Sequence, residues 1–160
     1  MKEKEMSMMK FNSLKEVVKH FEELNKDNYY LDYILGEGLV SKEWYETILE
    51  KVKKYKPKRV IDIGSNVNMF GYLFANEGIE YIGIDEDNSM KPIEAENIKF
   101  IHANYYDVRE QFKDDIIISC LCVGYLIPVE DVKAKVLIVN DSYGDNENFV
   151  CTAKEIIKEV

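Results

Sequence analysis

The sequence predicts an α/β protein: a doubly wound, mainly parallel sheet of about five strands, preceded by N-terminal helices. Three observations carry this. The apolar period changes after Pro57, from helical spacing to short runs. Those runs alternate with helical segments. And they are apolar without a break, as in strands covered on both faces. Right-handed crossovers then leave a doubly wound topology.

In chain order, residues 1–11 read as a disordered tail and 12–56 as helices that pack on the core or act as a lid. Ser13 and Glu16 form a capping box. Leu14, Val17, Val18, Phe21 and Leu24 follow at helical spacing, so a helix is expected over 14–26. Tyr29 to Leu35 suggests a short second helix ending at Gly36 to Gly38. Tyr29, Tyr30 and Tyr33 fit core packing better than a lid. Ser41 is expected to cap a third helix carrying Trp44, Ile48 and Val52, with Pro57 beyond its end.

Residues 57–160 read as the sheet core. Strands are expected at 59–63, 80–84, 98–101, 115–122 and 135–139. Helices are expected at 69–77, stopped by Gly78, near 107–112, and over 147–159.

Composition bounds the function. A chain of 160 residues holds one core. Its net charge of -9 argues against salt-dependent binding to a nucleic-acid backbone. The densest basic run, Lys51 to Arg59, reads as a solvated helix end. No apolar run approaches a membrane span. The charged start, MKEKEMSMMK, has no apolar region of a secretory signal, so a cytoplasmic protein is expected. Cys120, Cys122 and Cys151 lack CxxC spacing and suit reduced thiols, the first two facing one side of a buried strand. His20 and His102 are far apart, and no metal site is expected.

Ligands of doubly wound sheets bind beyond the carboxyl ends of the strands. Here those ends are Gly64-Ser-Asn-Val-Asn68, Asp85, His102-Ala-Asn104-Tyr105 and Val123-Gly124-Tyr125. Gly64 permits a sharp turn. Asn66 and Asn68 are the non-glycine residues that best tolerate left-handed backbone. Asp85 is placed to accept from two ribose hydroxyls. A dinucleotide fingerprint needs G-x-G-x-x-G, and the second glycine is Asn66 here, whose bulk does not suit a pyrophosphate.

The order "VIDIG", "YIGIDED", "IKFIHANYYDV", "DIIISCLCVGYL" resembles the class I S-adenosylmethionine-dependent methyltransferase family over about residues 42–140. The resemblance implies a Rossmann-like core that binds S-adenosylmethionine. It places Gly64, Ser65, Asn66 and Asn68, with Asp62 before them, around the methionine part. Asp85 would hold the ribose. Asn104 and Tyr105 would flank the adenine, the Asn104 amide oxygen accepting from its amine. Gly124 to Leu126 would face the methyl group and the acceptor.

The chain departs from that family in two ways. About twenty residues follow the fifth strand, where the family adds two strands with an antiparallel edge. And "SCLCVGYLIP" lacks the Asn/Asp-Pro-Pro-Tyr sequence of amino-methylating enzymes and offers no obvious base. Tyr125 and His102 are the nearest candidates for a catalytic base. The acceptor is expected to be a small molecule or a protein. The other reading is a non-catalytic binding or assembly module. Cover for the fifth strand is expected either from the last twenty residues folding back beside it or from a second copy, and a homodimer through edge pairing is the favoured of the two.

Overall fold

The computed structural model of the chain describes residues 9–28, 30–32, 35, 41–140 and 153–158. A six-stranded sheet organises them. In chain order its strands are β1 (Arg59–Ile63), β2 (Glu80–Asp85), β3 (Ile98–His102), β4 (Ile116–Ser119), β5 (Val136–Asn140) and β6 (Ala153–Ile157). They lie side by side as β3-β2-β1-β4-β5-β6. The first five run parallel, and β6 pairs antiparallel with β5, Leu137 opposite Ile156. Strand order reverses between β1 and β4, which opens a crevice at their carboxyl ends.

Alternation along β1 sets the two faces. Val60 belongs to one core cluster, Ile61 and Ile63 to the other. The first face is covered by helices α1 (Leu14–Leu24), α2 (Lys42–Lys53) and α3 (Gly71–Ala75), through Val17, Phe21, Trp44, Ile48 and Phe74. The second is covered by α4 (Tyr105–Val108), two short 3-10 turns and the segments around them. Among the described residues no helix is long and apolar enough to cross a membrane.

Several expectations change. Phe11 is buried in the first cluster, and the Met9 carbonyl accepts from Glu96 N, so residues 9–11 are packed rather than a disordered tail. Residues 1–8 lie outside the described residues, as do Tyr29, Tyr33, Gly36 to Gly38 and Cys151. Tyr30 is exposed, neither core nor covered. Ser13 caps α1 as expected, but Glu16 accepts from the Asn12 amide, one residue before the cap. Ser41 makes no side-chain cap bond and meets the Cys120 sulfur instead. In the basic run, Lys53 pairs with Glu50 and Glu77 across open solvent, and Arg59 grips Asp115 through two bonds of 2.8 and 2.7 Å. Strand β4 is half its expected length. It ends at Ser119, so Cys120 turns into the first core cluster while Cys122 packs on the second.

The largest correction is at the end. The expected helix over 147–159 is in part a strand, β6, and the sheet has six strands rather than about five. That strand covers the apolar edge of β5. The ground for expecting a dimer was an uncovered β5, and the chain supplies the cover itself. Among the described residues β6 is now the edge on this side of the sheet, where exposed Lys154 and Glu155 discourage further pairing.

Ending the chain at residue 152 therefore bares the backbone edge of β5. The shortened protein is expected to scatter light and elute as aggregates at concentrations where the full chain does not. An unchanged elution profile would show that β6 is dispensable as cover.

Candidate functional site

The loop after β1 decides the geometry at the crevice. Gly64 has φ +74, and a Cβ there would sit 2.4 Å from the Cys122 Cβ, so only glycine lets the loops after β1 and β4 meet. Asn66 and Asn68 have φ +56 and +61, the left-handed backbone expected of them. Four of the loop's amides are already engaged. Gly64 N and Ser65 N donate to the Ile84 carbonyl at 2.8 and 3.3 Å, Asn68 N to the Ser65 carbonyl at 3.1 Å, and Asn66 N to Asp85 Oδ2 at 2.8 Å.

Ser119 fixes the facing loop. Its hydroxyl donates to the Ile63 carbonyl at 3.0 Å and accepts from Cys122 N and Val123 N at 3.2 and 2.9 Å. One side chain thus ties the end of β1 to the turn that follows β4.

Between these loops lies a cleft of about 430 Å³, within the usual range for a small-molecule site. Gly64, Asn66, Asp85, Asn104 and Tyr105 line it, five of the residues expected there. So does Leu126, from the loop expected to face the methyl group, and so do Glu86, Asp87, Tyr106, Leu121 and Cys122, which sequence reasoning missed. The signal for them was present: each lies within a few residues of a strand's carboxyl end.

Asp85 sits half-buried at the cleft wall. Its Oδ2 accepts from Asn66 N and its Oδ1 from Asp87 N at 2.9 Å. A carboxylate offers about four acceptor positions, and the amides of Asn66, Asp87 and Glu86 leave room for a ligand hydroxyl. Burial pushes its pKa above the ordinary carboxylate value, while the backbone amides oppose that. Asn104 is committed to the protein: its Oδ1 caps α4 at Tyr106 N (2.9 Å) and its Nδ2 donates to Glu86 Oε1 (2.6 Å). The oxygen expected to receive an adenine amine is thus already bonded. Tyr105 lies buried, its hydroxyl accepting from Lys133 N at 3.0 Å.

Other expected residues do not reach the cleft. Asn68 is fully buried, its Nδ2 donating to the carbonyls of Ile93 and Lys99, both at 3.1 Å. It latches the loop to β3 instead of touching a ligand. Its Oδ1 and the Ser65 hydroxyl press on β2 at Gly83, where a Cβ would lie 1.9 and 2.4 Å away. Ser65 lines a neighbouring cavity of about 70 Å³ with Ser41, Tyr45 and Leu121. Asp62 is also fully buried, under the helices. Tyr45 and Tyr81 donate to its Oδ2 at 2.7 and 2.5 Å, and burial pushes its pKa up to about 7. Gly124, Tyr125 and His102 lie outside the cleft lining, the His102 Nε2 held 2.7 Å from the Glu86 carbonyl oxygen. Cys122 does line it, and burial pushes its thiol up to about 11.

The donor set favours one kind of ligand. Three carboxylates line the cleft and no Lys, Arg or His is among the lining residues, His102 standing behind them against Glu86. Its walls otherwise are apolar: Ile63, Ile84, Ala103, Leu126 and Ile127. With the loop amides engaged as well, a pyrophosphate would meet acids and few free donors. A cation carrying hydroxyls and an apolar ring fits. Among the described residues no cluster of His, Cys, Asp and Glu is arranged to hold a metal ion.

Two outcomes test this packing. Gly83→Ala must displace Asn68 or Ser65 and is expected to cost about 3 kcal/mol, read as a lowered Tm. The second concerns Asp62. Its folded pKa is raised, so its protonated form stabilises the fold fully below about pH 4, and that contribution is lost as pH rises through about 7. Asp62→Asn should remove this part of the slope in a denaturant titration series. A variant with the wild-type pH dependence would mean that Asp62 does not titrate there.

No family model matches the chain, and no curated protein matches it. Among solved structures it is similar to the plantazolicin methyltransferase BpumL in complex with SAH, at 17% identity and a TM-score of 0.45, over 86% of this chain and 70% of that one. It is also similar to the bifunctional kinase-methyltransferase WbdD, at 15% identity and a TM-score of 0.42, over 79% of this chain. The chain spans about a third of the length of WbdD, 35%. With its parallel strands in the order 3-2-1-4-5 and an antiparallel strand at the edge, the chain has a doubly wound, Rossmann-like fold.

Proposed function

We propose that the cleft holds S-adenosylmethionine and that the protein is a methyltransferase. The observation that carries this is the acid-lined, apolar-walled cleft built around Asp85 at the end of β2. In this reading Asp85 accepts from the ribose hydroxyls with the acceptor capacity its backbone partners leave. Tyr105, Ala103 and Ile127 give the adenine an apolar seat. Glu86 and Asp87 add negative charge that favours a cationic ligand. Gly64 and Asn66 border the methionine part. When bound, the cofactor supplies a methyl group on a positive sulfur, open to in-line attack. Leu121 and Leu126 lie at the lip, where they keep water from an acceptor.

No cleft residue serves as a strong base near neutral pH. The Cys122 thiol is held protonated by burial, and Tyr125 and His102 stand outside the lining. The acceptor then arrives as a ready nucleophile, and the protein's work is alignment. The net charge of -9 and the acidic cleft favour a small molecule or a protein over nucleic acid as acceptor. Free, buried Cys120 accords with a reducing, cytoplasmic setting. The lack of a base also supports the second reading, a binding module that holds the cofactor without turnover. Formation of S-adenosylhomocysteine with any acceptor excludes that second reading.

Titration calorimetry with S-adenosylmethionine tests the proposal. Binding is expected, and Asp85→Ala should weaken it by about tenfold to a hundredfold, the worth of hydrogen bonds to a charged group. No heat and no thermal shift with the wild-type protein would overturn it.

A further inference from the structure

Asp62 is the least expected group in the molecule. It interrupts a run that is buried from Val60 to Ile63, and it is itself 0% exposed. Both hydroxyls that reach it bond one oxygen, Oδ2; Oδ1 has no partner among the described residues. One of the two donors belongs to a cavity wall. Tyr45 comes from α2, stacks on Phe70 with ring centroids 4.9 Å apart, and lines the small cavity beside the β1 loop. That cavity shares Gly64, Asn66 and Leu121 with the cleft. The wall on this side of the cleft therefore hangs on a buried carboxylate.

The titratable groups facing Asp62 are Tyr45 from α2, Tyr81 from β2, Cys120 and Cys122 after β4 and Asp85 at the end of β2. Burial keeps both tyrosines and both thiols neutral near pH 7. Asp85 is the one charged neighbour of the five, and its negative charge disfavours ionisation of Asp62. Asp85 also lines the cleft.

We propose that Asp62 is a positioning residue coupled to the charge of the cleft's ligand: it holds Tyr45 in place and releases its proton to water when a cation binds beside Asp85. The inference rests on the cofactor reading above. A cation offsets the field of Asp85, so the ionised form of Asp62 becomes more favourable. Ionised, it holds the Tyr45 and Tyr81 hydroxyls by charge-assisted bonds, stronger than those to a neutral acid. Linkage makes the effect reciprocal: a cationic ligand binds more tightly as pH rises, and a neutral ligand of the same shape does not.

S-adenosylmethionine and S-adenosylhomocysteine are that pair, one with a positive sulfur and one with a neutral thioether. Their affinities are to be measured by calorimetry between about pH 6 and pH 8, for wild type, Asp62→Asn and Tyr45→Phe. The difference between wild type and Asp62→Asn removes each ligand's own titration. The expected result is a rise of about tenfold in the preference for S-adenosylmethionine, present in wild type and absent in Asp62→Asn. Tyr45→Phe takes one donor from Asp62 and should move the rise to higher pH. An equal rise in Asp62→Asn, or the same rise with S-adenosylhomocysteine, overturns the coupling and leaves the cofactor reading standing. Should Asp62→Asn not fold, an unmoved rise in Tyr45→Phe overturns it. Absence of binding by either ligand at every pH overturns both.

Discussion

A carboxylate taken wholly out of water must be answered by donors, and much of this structure follows from where Asp62 finds them. Its Oδ2 draws one hydroxyl from α2 and one from β2. Those two rings are themselves fixed by neighbours. Tyr45 lies on Phe70 and edge-on to Trp44, and Tyr81 lies on Phe74 of α3. The acid thus draws two helices and two strands to one point beneath the β1 loop. An apolar residue at the same position would fill the space without choosing between arrangements of α2. The buried acid sets a particular one, at a cost in desolvation that its raised pKa records.

The cleft shows the same economy of donors on the other face of the loop. A phosphate site at a strand–helix turn depends on free backbone amides. Here Gly64, Ser65, Asn66 and Asn68 spend theirs on Ile84, Asp85 and Ser65. Helix α3, five residues long, adds little dipole. What remains at the surface is acceptor-rich: Asp85, Glu86 and Asp87 in succession. This inventory suits a ligand that brings donors and positive charge, because the lining offers acceptors.

Much of this was legible in the sequence, and the exceptions have physical causes. Strands β1, β2 and β5 were readable because burial on both faces leaves runs that are almost wholly apolar, and the half-exposed edge strand β3 was readable from Ile98, Phe100 and Ile101. Strand β6 was not. Ala153, Lys154, Glu155, Ile156 and Ile157 carry helix-forming residues and no clean alternation, and pairing with β5 overrides that local preference. Of the site, the residues at strand ends could be placed by topology alone. Asp62 was grouped with them because it is adjacent in sequence, yet alternation along β1 turns it to the helix face. Its real partners come from α2 and β2, distances no local pattern spans. A signal did exist: an acid inside "VIDI", a stretch otherwise apolar, requires buried donors, and tyrosines were the abundant ones.

The asparagines of the β1 loop can be understood only together with β2. Left-handed backbone at Asn66 and Asn68 explains why a glycine would serve, not why asparagine does. Asn68 adds two bonds from its amide nitrogen, to carbonyls on the Ile93 segment and on β3, so the loop is tied to an edge strand it does not otherwise touch. That side chain needs room, and the room is at Gly83, where β2 has no Cβ to meet it. Bulk removed from β2 reappears in the loop. The pair Asn68 and Gly83 therefore acts as one feature divided between two strands' sequences. A glycine at 68 would remove both amide bonds and leave a void above Gly83, at a cost of about 1–3 kcal/mol for the lost bonds alone. The loop's rigidity, which holds Gly64 and Asn66 at the cleft, is therefore set as much by what β2 leaves out as by what β1's loop carries.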